Sequence, residues 1–148
     1  MARPKNTPSV QAPDSLPSLL AEASRRATAD LRRMLVEQGL PLEQWRVLDV
    51  LADEQGRSMS DLAEAVDMKL PSVSKLIDRM VSAALVQRSL DPADQRRVLV
   101  YVSDIGLAKV RGLRGPVARE LSSVETALDG RDRDELKRLL QAFIERRA

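Results

Sequence analysis

Apolar residues recur at helical spacing along most of the chain, most clearly between residues 71 and 82. Pro71 suits the first turn of a helix. The apolar positions that follow it at i, i+3, i+4, i+7 and i+8 are Val73, Leu76, Ile77, Met80 and Val81. A helix advances about 100° per residue, which leaves on the opposite face Ser72, Lys75, Asp78, Arg79 and Ser82. The pattern predicts an amphipathic helix whose exposed face offers hydroxyl groups and charges.

Three further helices are predicted before this one. The first covers residues 15–38, with Pro17 in its first turn and Gly39 after its end, and the second covers residues 42–54. The third is short, from residue 59 to about residue 66. It opens with Ser58 and Asp61 at the spacing of a capping box.

A two-stranded hairpin is predicted after the amphipathic helix. Residues 85–90 and 98–102 have strand character, and residues 91–94 between them have turn chemistry. Arg96 and Arg97 would then lie near the exposed tip, where Asp94 would brace the arginine or the turn. Two short helices followed by a charged hairpin are typical of a winged helix-turn-helix. In that motif the second helix enters the major groove of DNA, and an arginine on the wing suits the narrow neighbouring groove.

Both ends of the chain carry apolar stripes that lack an obvious partner. Residues 104–128 have such a seam, which Gly112, Gly115 and Pro116 interrupt, so a bend is expected there. A last helix is predicted to open at Asp132, with Glu135 completing a capping box. Its stripe consists of Leu136, Leu139, Leu140, Phe143 and Ile144. These stripes could pack within one chain, as in any helical bundle, or against a second copy.

Composition excludes several classes of function. The 148 residues include neither cysteine nor histidine, which excludes disulfides, Cys/His metal clusters and a histidine base in a nucleophilic triad. Glycine-rich phosphate loops are absent too, and the acidic residues fall mostly at helix caps or on exposed faces. No apolar run approaches the roughly 20 residues that cross a bilayer, so we expect a cytoplasmic protein with no membrane partner. We expect neither enzymatic activity nor a cofactor or metal.

The charge is distributed unevenly although the net charge is only +2. Residues 69–97 hold six cationic side chains against three carboxylates, whereas residues 58–68 hold three carboxylates and no cation. A basic segment beside an acidic one suggests a patch aimed at phosphates. A solvated mixed surface would explain the same distribution.

The order and spacing of several motifs resemble those of the multiple-antibiotic-resistance regulator (MarR) family. The motifs are SMSDLAE at residues 58–64, PSVSKLIDRM at 71–80, LVQR at 85–88, DPADQRR at 91–97 and VSDIG at 102–106. The resemblance implies an obligate homodimer that presents two winged helix-turn-helix units to a pseudo-palindromic double-stranded DNA operator. It also implies DNA-contacting positions at Ser72, Ser74, Lys75, Arg79, Arg96 and Arg97. Arg97 departs from the family pattern, because many members have a small residue there.

The expected fold is mainly α with a small β-hairpin wing. Residues 42–103 would form the winged helix-turn-helix, residues 15–38 and 104–148 the dimerisation helices, and residues 1–14 a flexible basic tail. The expected function is that of a sequence-specific transcriptional regulator, a repressor released by a small organic ligand, aromatic or phenolic as is common in the family. Trp45 could line a ligand pocket and Arg46 could pair with a carboxylate, although a core tryptophan and a solvated arginine explain both residues more simply. The alternative function is a winged-helix adaptor that binds proteins and does not read DNA.

Overall fold

The computed structural model describes residues 14–148, and the first 13 residues of the predicted basic tail lie outside that range. Six helices and two strands follow in the order α1 (Leu16–Glu37), α2 (Leu42–Leu51), α3 (Met59–Ala65), α4 (Leu70–Ser82), β1 (Val86–Leu90), β2 (Val98–Val102), α5 (Asp104–Glu125) and α6 (Gly130–Arg147). The strands form one antiparallel hairpin. The predicted fold class, mainly α with a hairpin wing, is therefore confirmed.

One hydrophobic core is formed by residues from the elements between the end of α1 and the first part of α5. It extends from Leu31 and Leu35 at the end of α1, through α2 to β2, to Val110, Leu113 and Val117 in the first part of α5. No residue of α6 is buried. The core therefore lies in the winged helix-turn-helix and in the ends of α1 and α5 that touch it.

Local capping explains where most of these helices begin. The hydroxyl of Ser15 accepts from the amide of Ser18 at the start of α1. Before α3, Ser58 accepts from the amide of Asp61, and the Asp61 carboxylate accepts from the amide of Ser58 in return. This reciprocal pair is the capping box that the sequence predicts.

Three features differ from the sequence-based expectations. Helix α2 ends at Leu51, three residues before the predicted end, and Glu54 in the following turn has a positive φ of 63°. Helix α6 begins at Gly130, because the side chain of Asp129 accepts from the amide of Asp132 and caps the helix one turn before the predicted start. Val81 belongs to the predicted apolar stripe of α4 but is 37% exposed.

Helix α5 is continuous from Asp104 to Glu125, with Pro116 inside it. The two glycines and the proline that were expected to bend this segment therefore do not divide it into two helices. The hydroxyl of Ser103 caps its first turn by accepting from the amide of Gly106 at 3.0 Å. Helix α5 consequently leads from the wing to the exposed apolar part of the protein.

The hairpin is attached to the rest of the fold at two places. Arg57 forms an isolated antiparallel bridge to Val100, with backbone N–H···O distances of 3.0 and 2.8 Å, and so ties the start of α3 to β2. At the other side, the amide of Leu85 donates to the carbonyl of Met80 at 2.9 Å, which closes the end of α4. Ala84 takes a positive φ of 58° in this connection.

Candidate nucleic-acid interface

The polar face of α4 is exposed as the sequence predicts. The side chains on its inner face are all buried: Val73, Leu76, Ile77 and Met80. Ser72, Lys75 and Arg79 are exposed on the outer side, and Ser74 is half-buried. No side chain caps the first turn of α4, so its leading amides are not satisfied by a cap. The helix therefore offers two cations and the positive end of its dipole on one surface.

Arg96 projects from the hairpin into solvent, with a side chain that is 91% exposed. Asp94 Oδ1 accepts from the backbone amide of Arg96 at 3.1 Å and from its Nε at 3.2 Å. Asp94 thus hydrogen-bonds both to the backbone of the turn and to the arginine side chain. The sequence alone leaves open which of the two it supports. An exposed pair of this kind contributes about 0–1 kcal/mol to stability, so its effect is mainly to orient the guanidinium.

Arg97 is placed differently from Arg96. Its Nη1 lies 3.8 Å from Asp91 Oδ2, and its backbone carbonyl and amide bond to Asp91 and Asp94 respectively. The Asp91 side chain is only 14% exposed. Arg97 therefore helps to close the loop of the hairpin, whereas the side chain of Arg96 extends from the loop into solvent.

Two exposed acidic residues near the start of α3 are paired with donors of the same region. Hydrogen bonds from the side chain and backbone of Ser58 lower the pKa of Asp61, and the charges of Arg97 and Arg57 lower it further. Arg57 itself donates to Asp53 Oδ2 at 2.5 Å and to the carbonyl of Gln55 at 3.0 Å. The hydrogen bond from Arg57 is also the main cause of the lowered pKa of Asp53. These carboxylates are compensated by neighbouring donors and arginines.

The sequence interpretation missed one contact in this region. Arg88 Nη2 in β1 donates to Asp78 Oδ1 in α4 at 2.6 Å. The two residues are separated by ten positions and a reversal of the chain, so no helical or strand periodicity predicts that they meet. This pair joins the exposed face of the helix to the hairpin.

The comparisons with known proteins agree with this geometry. A family model described as "MarR family" matches residues 38–97. The HTH-type transcriptional regulator Mb0904 of Mycobacterium bovis is 30% identical over 122 residues, 82% of this chain and 85% of that protein. The chain belongs to the MarR family.

Other relatives of this MarR protein are named as repressors. The homoprotocatechuate degradative operon repressor of Escherichia coli is 26% identical and covers 88% of each chain. The repressor IacR of Pseudomonas putida is 30% identical over 102 residues. The matched segment is 69% of this chain and 60% of the length of IacR. The protein is accordingly a DNA-binding transcriptional regulator, and MarR proteins act as dimers on DNA.

Two solved structures resemble this MarR protein along most of its length. BpsR of Bordetella bronchiseptica, whose DNA binding is regulated by 6-hydroxynicotinic acid, superposes with a TM-score of 0.77 at 28% identity, covering 89% of this chain and 94% of BpsR. The repressor CouR, bound to a 23-mer DNA duplex, superposes with a TM-score of 0.75 at 25% identity and covers 91% and 96%. The winged helix-turn-helix architecture is thus shared with a DNA-bound and a ligand-regulated member.

The two residues considered for a ligand pocket of this MarR protein point in different directions. Trp45 is 7% exposed and packs in the hydrophobic core, whereas Arg46 is exposed. Adjacent helical residues are rotated by about 100°, which explains the difference. The charge of Arg46 is a minor influence on Glu43. Partial burial is the largest single influence and raises the pKa of Glu43, but the hydrogen bond from Arg32, a backbone hydrogen bond and the charges of Arg32 and Arg46 together outweigh it, so the pKa is lowered.

A shallow groove lies between α2 and the outer side of α4. It has a volume of about 290 Å³, and its lining includes Pro41, Gln44, Ser72, Lys75 and Arg79.

Among residues 14–148 there is no group of three or more acidic side chains placed to hold a metal ion. In that same part of the chain, no helix combines the length and apolarity needed to cross a membrane.

Proposed function

We propose that this MarR protein is a repressor that reads a pseudo-palindromic operator with α4 and the hairpin, and that a small aromatic acid releases it. The observation that carries the proposal is the exposure of Lys75, Arg79 and Arg96 on α4 and the hairpin that follows it. In residues 14–148, neither Lys75 nor Arg79 forms an ion pair, and the only ion pair of Arg96 is with Asp94 at its own turn. Cations held in this way can neutralise phosphates when a duplex approaches.

In the proposed complex, the first turns of α4 enter the major groove and the hairpin reaches the adjacent minor groove. Ser72 and Ser74 would offer hydroxyls to base edges, while Lys75 and Arg79 would contact phosphates or guanine. Arg96 would enter the minor groove, held in position by Asp94. Arg97 is the weakest candidate of the set, because its guanidinium faces Asp91.

The domain assignment forms part of the proposal. Residues 42–103 would bind DNA, and residues 15–38 and 104–148 would form the dimer. The apolar side chains of α6 support this division, since Leu139 and Ile144 are 50% and 64% exposed in the single chain. Contiguous apolar surface of this kind is typical of protein–protein interfaces. Sedimentation should therefore give twice the chain mass of 16.4 kDa.

The DNA-binding test begins with sheared genomic DNA from the source organism, from which the purified protein selects its sites. Affinity for an enriched duplex is then measured by fluorescence anisotropy at several salt concentrations. We expect the double variant Lys75→Ala/Arg96→Ala to bind at least tenfold more weakly, with a smaller salt dependence. Arg111→Ala/Arg119→Ala is the matched control, because it removes the same charge from exposed positions of α5.

Equal affinity of the parent and the Lys75/Arg96 variant would contradict the site assignment. A parent protein that binds no duplex in a salt-dependent manner would instead favour the adaptor function, in which the same surface contacts proteins. The two readings therefore give different results in one titration series. Because chromosomal DNA is the proposed partner, we expect the protein in the cytoplasm, and we propose no catalytic activity.

The effector is proposed by analogy with two similar proteins. One is the repressor of the homoprotocatechuate degradative operon, and the other is BpsR, whose DNA binding is regulated by 6-hydroxynicotinic acid. Arg46 would pair with the carboxylate of the effector, and Trp45 would support α2 from the core side. Homoprotocatechuate and 6-hydroxynicotinic acid are the first probes, with cyclohexanecarboxylic acid as a non-aromatic control. An effector must lower DNA affinity, and DNA must lower effector affinity by the same factor. Arg46→Gln should bind DNA normally and lose the response.

A further inference from the structure

The ion pair between Asp78 and Arg88 connects the two elements of the proposed DNA-binding surface. Asp78 is the only carboxylate in α4, and Arg88 lies in the first strand of the hairpin. Their atoms Oδ1 and Nη2 are 2.6 Å apart. No other salt bridge in residues 14–148 joins α4 to the hairpin.

The position of this pair is not explained by stability or by attraction to DNA. The side chains of Asp78 and Arg88 are 63% and 36% exposed, and pairs as exposed as this stabilise a fold very little. A carboxylate beside Lys75 and Arg79 also repels a polyanion. An acidic group at this place consequently needs another role.

The geometry of the connection between helix and hairpin suggests that role. The backbone passes from α4 to β1 through Ala83, Ala84 and Leu85, and the bond from Leu85 to Met80 holds the chain at that corner. The bridge between Arg57 and Val100 holds β2 against the segment before α3, so of the two backbone attachments only the bond from Leu85 to Met80 is made to α4 itself. Arg88 is in register with Val100, beyond the corner, and its guanidinium reaches back to α4. The pair is a second attachment to α4, beyond the corner, and together with the bridge between Arg57 and Val100 it sets the angle of the hairpin relative to the helix.

We propose that Arg88, held by Asp78, is a positioning residue for DNA binding. It sets the angle between α4 and the wing so that major-groove and minor-groove contacts form together, and it makes no essential phosphate contact. The proposal rests on the proposed function, since it assumes that both elements contact one duplex. It explains why α4 contains Asp78, although the negative charge of this side chain weakens non-specific attraction to DNA.

The test compares Asp78→Asn, Arg88→Gln and the double variant on two duplexes of equal length, one enriched from the genome and one of mixed sequence. The ratio of the two affinities should fall about two- to twentyfold for each single variant. Loss of one exposed ion pair changes an equilibrium constant by up to about fivefold, and the pair is present in both subunits of the proposed dimer. Asp78→Asn is decisive, since it removes negative charge and still should lose specificity. The double variant should lose no more than either single variant, and Arg88→Lys should recover part of the ratio.

The salt dependence separates positioning from direct contact. Arg88→Gln should keep the salt slope of the parent, whereas loss of a phosphate contact would reduce that slope by about one per subunit. A reduced slope would overturn the proposal in favour of a direct contact. An affinity ratio unchanged by Asp78→Asn would also overturn it. Asp49→Asn is the matched control, because it breaks an exposed pair with Arg114 that lies between α2 and α5.

These outcomes are distinct from failure of the proposed function. A parent that binds every duplex without salt dependence overturns both proposals. A parent that binds the enriched duplex specifically, with variants that retain the same ratio, overturns the positioning role alone. Thermal unfolding of each variant checks that the fold is intact, and we expect midpoints close to that of the parent.

Discussion

Replacing Gly106 with alanine should destabilise the protein at the junction between the hairpin and α5. A methyl group at this position would overlap the carbonyl oxygen of Leu85 and would lie 3.0 Å from its carbonyl carbon and 3.1 Å from Val102 Cγ2. The obstacle is backbone, so no side-chain rotation relieves it. The start of α5 must instead move away from the start of β1.

That movement would weaken two hydrogen bonds of Ser103, whose amide donates to Leu85 O at 3.0 Å and whose hydroxyl donates to Ala84 O at 2.6 Å. Each such bond contributes about 1 kcal/mol, and overpacking costs about 1–3 kcal/mol. The better helix propensity of alanine offsets roughly 1 kcal/mol. The net loss is therefore about 2–4 kcal/mol, which corresponds to roughly 4–16 °C in Tm for a chain of this size.

Gly112→Ala is the control for this measurement. It makes the same substitution in the same helix, where an added methyl group meets no atom within 4 Å beyond the backbone of its own stretch of helix, and it should raise stability by up to about 1 kcal/mol. Scanning calorimetry at equal protein concentration compares the two, because Tm depends on concentration in a dimer. A Gly106→Ala variant as stable as Gly112→Ala would refute the reasoning.

Three further substitutions test local features. Ala84→Gly should raise the urea midpoint, because the left-handed conformation of Ala84 costs an L-residue roughly 1 kcal/mol that glycine does not incur; an unchanged or lower midpoint would count against this. Asp61→Asn should be less stable than the parent at pH 7, and the difference should vanish in acid. The lowered pKa of Asp61 means that its contribution is complete above its usual value of 3.8 and is lost as pH falls through the lower folded-state value; a difference that persists below pH 2, on the order of two units under the usual carboxyl pKa, would contradict it. Asp94→Ala should weaken operator binding about two- to fivefold with an unchanged salt slope, measured by anisotropy, because Arg96 keeps its charge but loses its brace. A reduced slope would mean that Arg96 no longer reaches the duplex.

The sequence predicts the helix-turn-helix well because its signals are local. The capping box of Ser58 and Asp61 needs only a spacing of three, and the inner face of α4 needs only helical periodicity. Val81 shows the limit of that reasoning. It lies about 90° from the centre of the buried face, and a residue at such an edge is covered only if a neighbouring element reaches it.

The start of α6 was misplaced because two overlapping signals have equal local quality. Asp129 and Asp132 can each cap a helix, and each has an acidic residue three positions later. The earlier start adds a turn of backbone hydrogen bonds, and in the structure Asp129 is the cap. Spacing alone does not rank the two candidates.

The pair formed by Asp78 and Arg88 could not be predicted for a different reason. Its two residues belong to elements of different periodicity, and the turn between them contains an alanine with positive φ. Turns of that type usually carry glycine or asparagine, so residue types alone do not indicate how tightly the chain reverses. Which residues meet across such a corner depends on its geometry.

The continuity of the core constrains how such a regulator can respond to an effector. Buried side chains pack without a break from α4 and the hairpin, through α2, to Val110 and Leu113 in α5 and Leu35 in α1. The winged helix-turn-helix and the adjoining ends of α1 and α5 are therefore expected to move together, because a packed interior does not deform continuously. We therefore expect relative motion in the outer parts of α1, α5 and α6, where apolar residues such as Leu121 are exposed in the single chain. An effector would thus alter the distance between two recognition helices by repacking those outer parts, while the contacts within each half-site stay the same.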